Sequence, residues 1–159
     1  MIAAALLLAA ATAPAIDGPL QPLSFLVGHC WRGEFTGSGT VDTHCFEQLY
    51  GGKHIRDRHE VKNAAGKIVY AGESIYGWNG KTKRVEFAYF SSEGAISYGS
   101  MTPRDGDLDF GDEVFNGTDG KEIKISTLWR RSGNSAYDAV TRSAFMPTGQ
   151  RVVTYKRVD

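Results

Sequence analysis

The sequence predicts an all-β protein. About ten antiparallel strands form an up-and-down meander that closes into a barrel, with a short helix ahead of the first strand. Three observations carry this. Turn signals recur roughly every ten residues from Gly28 onward, the spacing of short strands joined by hairpins. Between turns, Val85, Phe87 and Tyr89 alternate with Arg84, Glu86 and Ala88, and Ile123, Ile125, Thr127 and Trp129 alternate with Lys124, Ser126, Leu128 and Arg130. The chain also carries 19 glycines in 159 residues, an excess hostile to long helices and suited to tight turns.

The elements follow in order. Met1 to Ala15 is a short apolar run closed by Ala13-Pro14-Ala15, a small-x-small cleavage pattern, so residues 1–15 read as a signal peptide and 16–159 as a single barrel domain. This predicts a periplasmic or secreted protein with no membrane span once the leader is removed. Pro22 to Val27 is the one helical candidate. Strands are expected at about 29–36, 42–50, 53–62, 67–78, 82–91, 95–102, 107–115, 121–131, 135–145 and 150–157. They are separated by turns such as Gly51-Gly52, Asn79-Gly80, Asp105-Gly106 and Pro147-Thr148-Gly149. Ten such strands remove their free edges by closing.

Eighteen Lys and Arg balance 18 Asp and Glu, so nothing in the net charge points to nucleic acid or an anionic membrane as partner. Hydrophobic content of 42% excludes a disordered chain. Cys30 and Cys45 are the only cysteines, and in an exported chain without C-x-x-C they read as a disulfide, with two free buried thiols as the alternative.

The stretch Phe25-Leu26-Val27-Gly28-His29-Cys30-Trp31-Arg32-Gly33-Glu34 resembles the opening of the lipocalin-like barrels related to nitrobindin, where a short apolar helix leads into a strand carrying G-x-W-x-G. Glu47 to Lys53, Ile75-Tyr76-Gly77-Trp78-Asn79 and Val153 to Arg157 continue the likeness, the stretch Ile75 to Asn79 being similar to a bacterial group of exported relatives. The resemblance implies a ten-stranded calycin-like barrel with a ligand cavity. In nitrobindin-type members a late histidine ligates haem. Here the four histidines are His29, His44, His54 and His59, so that ligand has no counterpart and no cofactor is expected.

Register arithmetic then gives a specific constellation. A two-residue turn at Gly51-Gly52 places His44 opposite His59, Phe46 opposite Asp57 and Gln48 opposite Ile55. A bridge between Cys30 and Cys45 places Trp31 opposite His44. Trp31, His44 and His59 thus form a row across three strands, on the face away from the disulfide, with opposed Cβ atoms about 4.5–5.5 Å apart. In the third strand Ile55, Asp57, His59 and Val61 alternate with His54, Arg56, Arg58, Glu60 and Lys62, so the first set should point inward. Phe46, Tyr70, Tyr76, Phe87, Tyr89, Trp129 and Tyr137 are the further inward candidates.

Such a lumen has the composition of a small-molecule site. The ligand-lining candidates are Trp31, His44, Phe46, Asp57, His59, Tyr70, Tyr76, Phe87, Tyr89, Trp129 and Tyr137. The histidine pair has three readings: a hydrogen-bonded structural pair, the polar lining of a pocket, or a metal or catalytic site, for which Asp57 is the third group. Asp105, Asp107, Asp109, Asp112 and Glu113 read as a solvated acidic turn, since their spacing lacks the calcium-loop pattern. No nucleophile or phosphate-binding motif is present. The expected function is binding of a small, largely apolar ligand in the lumen. The alternatives are a structural or interaction module with a filled barrel, haem binding without the family's histidine ligand, and an acid–base enzyme using His44, His59 and Asp57.

Overall fold

Leu20, Leu23 and Leu26 recur every third residue, which is the period of a 3₁₀ helix, and all three are buried. The computed structural model describes residues 16, 18–144, 146 and 149–158. It places a 3₁₀ helix at Gly18–Leu23, continued by i to i+3 turns through Val27. The helix thus begins four residues before the expected Pro22, because the three leucines, rather than the stretch after Pro22, supply the apolar face. The proposed leader Met1–Ala15, together with Phe145, Pro147 and Thr148, lies outside the described residues.

Ten strands follow: β1 (Cys30–Phe35), β2 (Thr40–Leu49), β3 (His54–Lys62), β4 (Ile68–Asn79), β5 (Arg84–Ser91), β6 (Ile96–Arg104), β7 (Asp107–Asn116), β8 (Glu122–Ser132), β9 (Ala136–Arg142) and β10 (Gln150–Arg157). Each pairs antiparallel with its neighbours in sequence, and β1 closes the barrel on β10 through Trp31 with Arg157 and Arg32 with Lys156. Among the described residues no helix is long and apolar enough to cross a membrane.

The registers of the first two hairpins are those the cysteines and glycines imply. Cys30 pairs with Cys45, Trp31 with His44, and His44 with His59. The β2–β3 loop is wider than the two-residue turn expected. Leu49 and His54 form the last pair, and Tyr50 to Lys53 make the connection. The loop grows by one residue on each side, so the register is unchanged. Cys30 and Cys45 are joined by a disulfide.

Two ends of the barrel differ. At the end covered by the 3₁₀ segment, aromatic rings fill the interior. Trp31 lies edge-on to Phe25 at 5.8 Å and packs on Tyr137 at 5.4 Å, while Tyr137 stacks on Trp129 at 4.9 Å and on Tyr155 at 5.0 Å. The Trp31 indole donates to the Leu26 carbonyl at 3.2 Å, fastening the helical segment to the plug. Among the described residues nothing comparable fills the opposite end, where those facing the lumen are half-buried.

Replacing Cys30 and Cys45 by serine should lower the free energy of unfolding by about 3 kcal/mol, given the 15-residue separation of the bridge. Urea unfolding checks this, and thiol titration of the denatured wild type should find no free thiol.

Candidate functional site

The inward face of β2 carries Asp42, His44 and Phe46, and that of β3 carries Ile55, Asp57, His59 and Val61. Direct pairing stacks the His44 and His59 rings, with centroids 4.6 Å apart and planes 15° apart. Carboxylates bracket them. His44 Nδ1 donates to Asp57 Oδ2 at 2.8 Å, and its Nε2 donates to Asp42 Oδ2 at 3.1 Å. Asp42 takes His59 Nδ1 on its other oxygen at 3.0 Å, and the Tyr155 hydroxyl at 2.8 Å. With Nδ1–H turned to Asp42, His59 Nε2 faces the Tyr89 hydroxyl at 3.0 Å, which in turn meets the Tyr70 hydroxyl at 2.6 Å. A continuous polar chain therefore runs from Tyr70 through Tyr89, His59, Asp42 and His44 to Asp57.

Tyr155 and Tyr89 reach Asp42 and His59, respectively, across a strand that offers a glycine. Gly33 on β1 lies opposite Asp42, and a Cβ there would sit 3.0 Å from the Tyr155 ring and 2.6 Å from Val153. Gly72 on β4 lies opposite His59, and a Cβ there would sit 2.1 Å from the Tyr89 hydroxyl. The missing side chains are what let Tyr155 and Tyr89 pass over the intervening strand.

Burial alone disfavours the His44 cation, but the charge of Asp57 and the hydrogen bonds to Asp42 and Asp57 override it and push the pKa up to about 10. Burial likewise works against an ionised Asp42, yet hydrogen bonds from His44 and His59 hold it well below the usual carboxylate range. His44 is therefore an imidazolium locked between two carboxylates. Tyr70 and Tyr89 are held above the ordinary phenol range, chiefly by burial.

Above the aromatic plug the lumen holds a cavity of about 220 Å³. Of the sequence-predicted residues, His44, Asp57, His59, Tyr70, Tyr76, Phe87, Tyr89 and Trp129 line it. Trp31, Phe46 and Tyr137 do not; they point inward and are buried, and Trp31 and Tyr137 belong to the plug beneath. Ser74, Phe110, Glu113, Phe115, Ile125 and Thr127 complete the wall. A larger hollow of about 830 Å³ is a trough on the outer face of β2 to β5, bordered by Glu47, Arg58, Glu60, Lys62 and Glu73. Its charged, solvated border makes the lumen the better-formed site.

Glu113 corrects the expectation of a solvated acidic turn. The β7–β8 register shifts between Asp109 and Asp112, where Gly111 takes φ of 57°. This β-bulge leaves Asp112 exposed and turns Glu113 and Phe115 to the inside beside Leu108 and Phe110. Strict alternation from Leu108 would have put Asp112 inside instead. Asp42 was also missed as a site residue, although it shares the parity that turns His44 inward.

Asp42, His44 and His59 bring donor atoms within 4.8 Å of one another, so Asp42 and not Asp57 is the third group of the cluster. The arrangement is built for protons. The two rings are nearly parallel and each nitrogen addresses a different oxygen of Asp42, so their lone pairs do not converge on one point. Both nitrogens of each imidazole are engaged in hydrogen bonds of this network. No family model matches the chain, and no curated protein matches it.

His44 binds its proton more tightly when folded. Its contribution is therefore complete below about pH 6.5 and lost as pH rises through about 10, whereas that of Asp42 is present above about pH 3.8 and lost on acidification. Urea midpoints measured from pH 6 to 10 should fall in the wild type, and His44→Gln, less stable at pH 6, should converge on it by pH 10. Separately, Gly72→Ala should cost about 1–3 kcal/mol by overpacking against Tyr89. NMR should then show the His59 ring signals displaced.

Proposed function

We propose that this chain is an exported small-ligand-binding protein of the calycin-like kind, whose lumen takes a one-ring, largely apolar molecule. The observation that carries the reading is the 220 Å³ cavity, walled by seven aromatic side chains and opening at the end opposite the 3₁₀ helix. An apolar cavity of about 150 Å³ is enough for benzene, so the volume suits one ring with a short substituent. Several further observations support it. The ten-strand closed barrel is consistent with the calycin-like fold implied by the Phe25–Glu34 resemblance, and the Cys30–Cys45 disulfide accords with the oxidising compartment to which Met1–Ala15 would direct the chain.

A second reading has its own support. The cavity lies below the roughly 300 Å³ at which typical ligand sites begin, which favours a structural module with a filled barrel. The same volume leaves no room for a porphyrin.

Size selection separates the two. Emission of Trp129, on the cavity wall, should respond saturably to benzene-sized aromatics, less to two fused rings and not to three. A response that never saturates at any size would favour the filled barrel. Native mass spectrometry before and after organic extraction should show one small adduct that extraction removes.

A further inference from the structure

Among the described residues three carboxylates face the lumen or border it, and two of them are already held by histidines. Asp42 and Asp57 hold His44 between them, and Asp42 also holds His59. Glu113 is different. The bulge at Gly111 turns it inward onto the cavity wall, where its one hydrogen-bond partner among the described residues is the Ser97 hydroxyl, itself fully buried. Among the described residues no lysine or arginine lines the cavity or pairs with Glu113. The wall thus presents a carboxylate with no counter-ion, flanked on the same strand by the Phe115 ring, which lies 6.0 Å from that of Tyr89.

An uncompensated carboxylate inside a barrel is costly, because burial removes the water that would stabilise its charge. Burial raises the Glu113 pKa, and the Ser97 hydrogen bond offsets this only in part. A cation brought by the ligand would relieve the cost twice, through an ion pair with Glu113 and through attraction to the faces of Phe115 and Tyr89. An anion would gain no such pair and would be repelled by Glu113.

We propose that the cavity selects a small aromatic amine in its protonated form, with the ring among the aromatic walls and the ammonium paired with Glu113. This rests on the ligand-binding reading above and names the ligand class; Glu113 is then the specificity-determining residue.

Three probes of nearly one size and different charge test it: 2-phenylethylamine, 2-phenylethanol and phenylacetate, titrated into the wild type and Glu113→Gln by calorimetry at pH 7. In the wild type the amine should bind at least about tenfold more tightly than the alcohol, as expected for a buried charge-assisted pair, and the acid should not bind. Glu113→Gln should bring the amine to the level of the alcohol and leave the alcohol unchanged. An alcohol equal to the amine in the wild type, or a preference that survives in Glu113→Gln, overturns the amine assignment while the binding site stands. If none of the three binds, the ligand-binding reading itself falls. The wild-type ranking alone decides the matter should the variant fail to fold.

Discussion

The buried Asp42 carboxylate is the constraint on which much of this barrel depends. It receives hydrogen bonds from His44 on its own strand, His59 on β3 and Tyr155 on β10, so one side chain ties together strands on both sides of the seam where the barrel closes. An isolated charge at that depth would cost several kcal/mol. Three donors, one of them the His44 imidazolium, offset the cost, and the third, Tyr155, does so only in the closed barrel, where β10 reaches β2 across β1. Closure and the polar network are therefore mutually dependent.

That network divides the interior. Below it, Trp31, Tyr137, Trp129 and Tyr155 stack into a plug sealed by the leucines of the 3₁₀ segment. Above it the wall stays open, because Tyr70, Tyr89 and Phe115 line the perimeter and leave the centre unfilled. The histidine pair forms the polar side wall between the two halves. Its hydrogen bonds are fully used in holding strands together, so its first role is structural, and the chemistry left for a bound molecule comes from the aromatic walls and Glu113. On the proposed reading such a cavity would discriminate by size and by charge sign rather than by a dense set of hydrogen bonds.

The fold and half of the site were legible in the sequence for simple reasons. Turn spacing and period-two alternation are local, and they gave ten strands and a closed meander. The Cys30–Cys45 pair and the Gly51-Gly52 turn each fix a register, and two registers sharing β2 suffice to place Trp31, His44 and His59 in one row. The hairpin loop is four residues rather than two, yet a symmetric change of loop length leaves the pairing intact. The short helix ahead of β1 was legible but starts four residues earlier than expected, because its three-residue leucine period is that of a 3₁₀ segment and not of an α-helix.

The sequence by itself determined the all-β class, the inward faces of β1 to β3 and the opposition of His44 to His59, because these follow from alternation and from two anchored hairpins. Only the tertiary structure decided what the histidines hold and where the cavity lies. Asp42 meets Tyr155 across the barrel seam, a contact between residues 113 positions apart that no local pattern encodes. Glu113 enters the lumen through a bulge that adds one residue to β7, and a single residue reverses every side chain beyond it. Gly33 and Gly72, indistinguishable in the sequence from turn glycines, matter because of the rings that pass over them. Long-range closure, a one-residue register shift and the space left by an absent side chain are settled only when the strands are assembled.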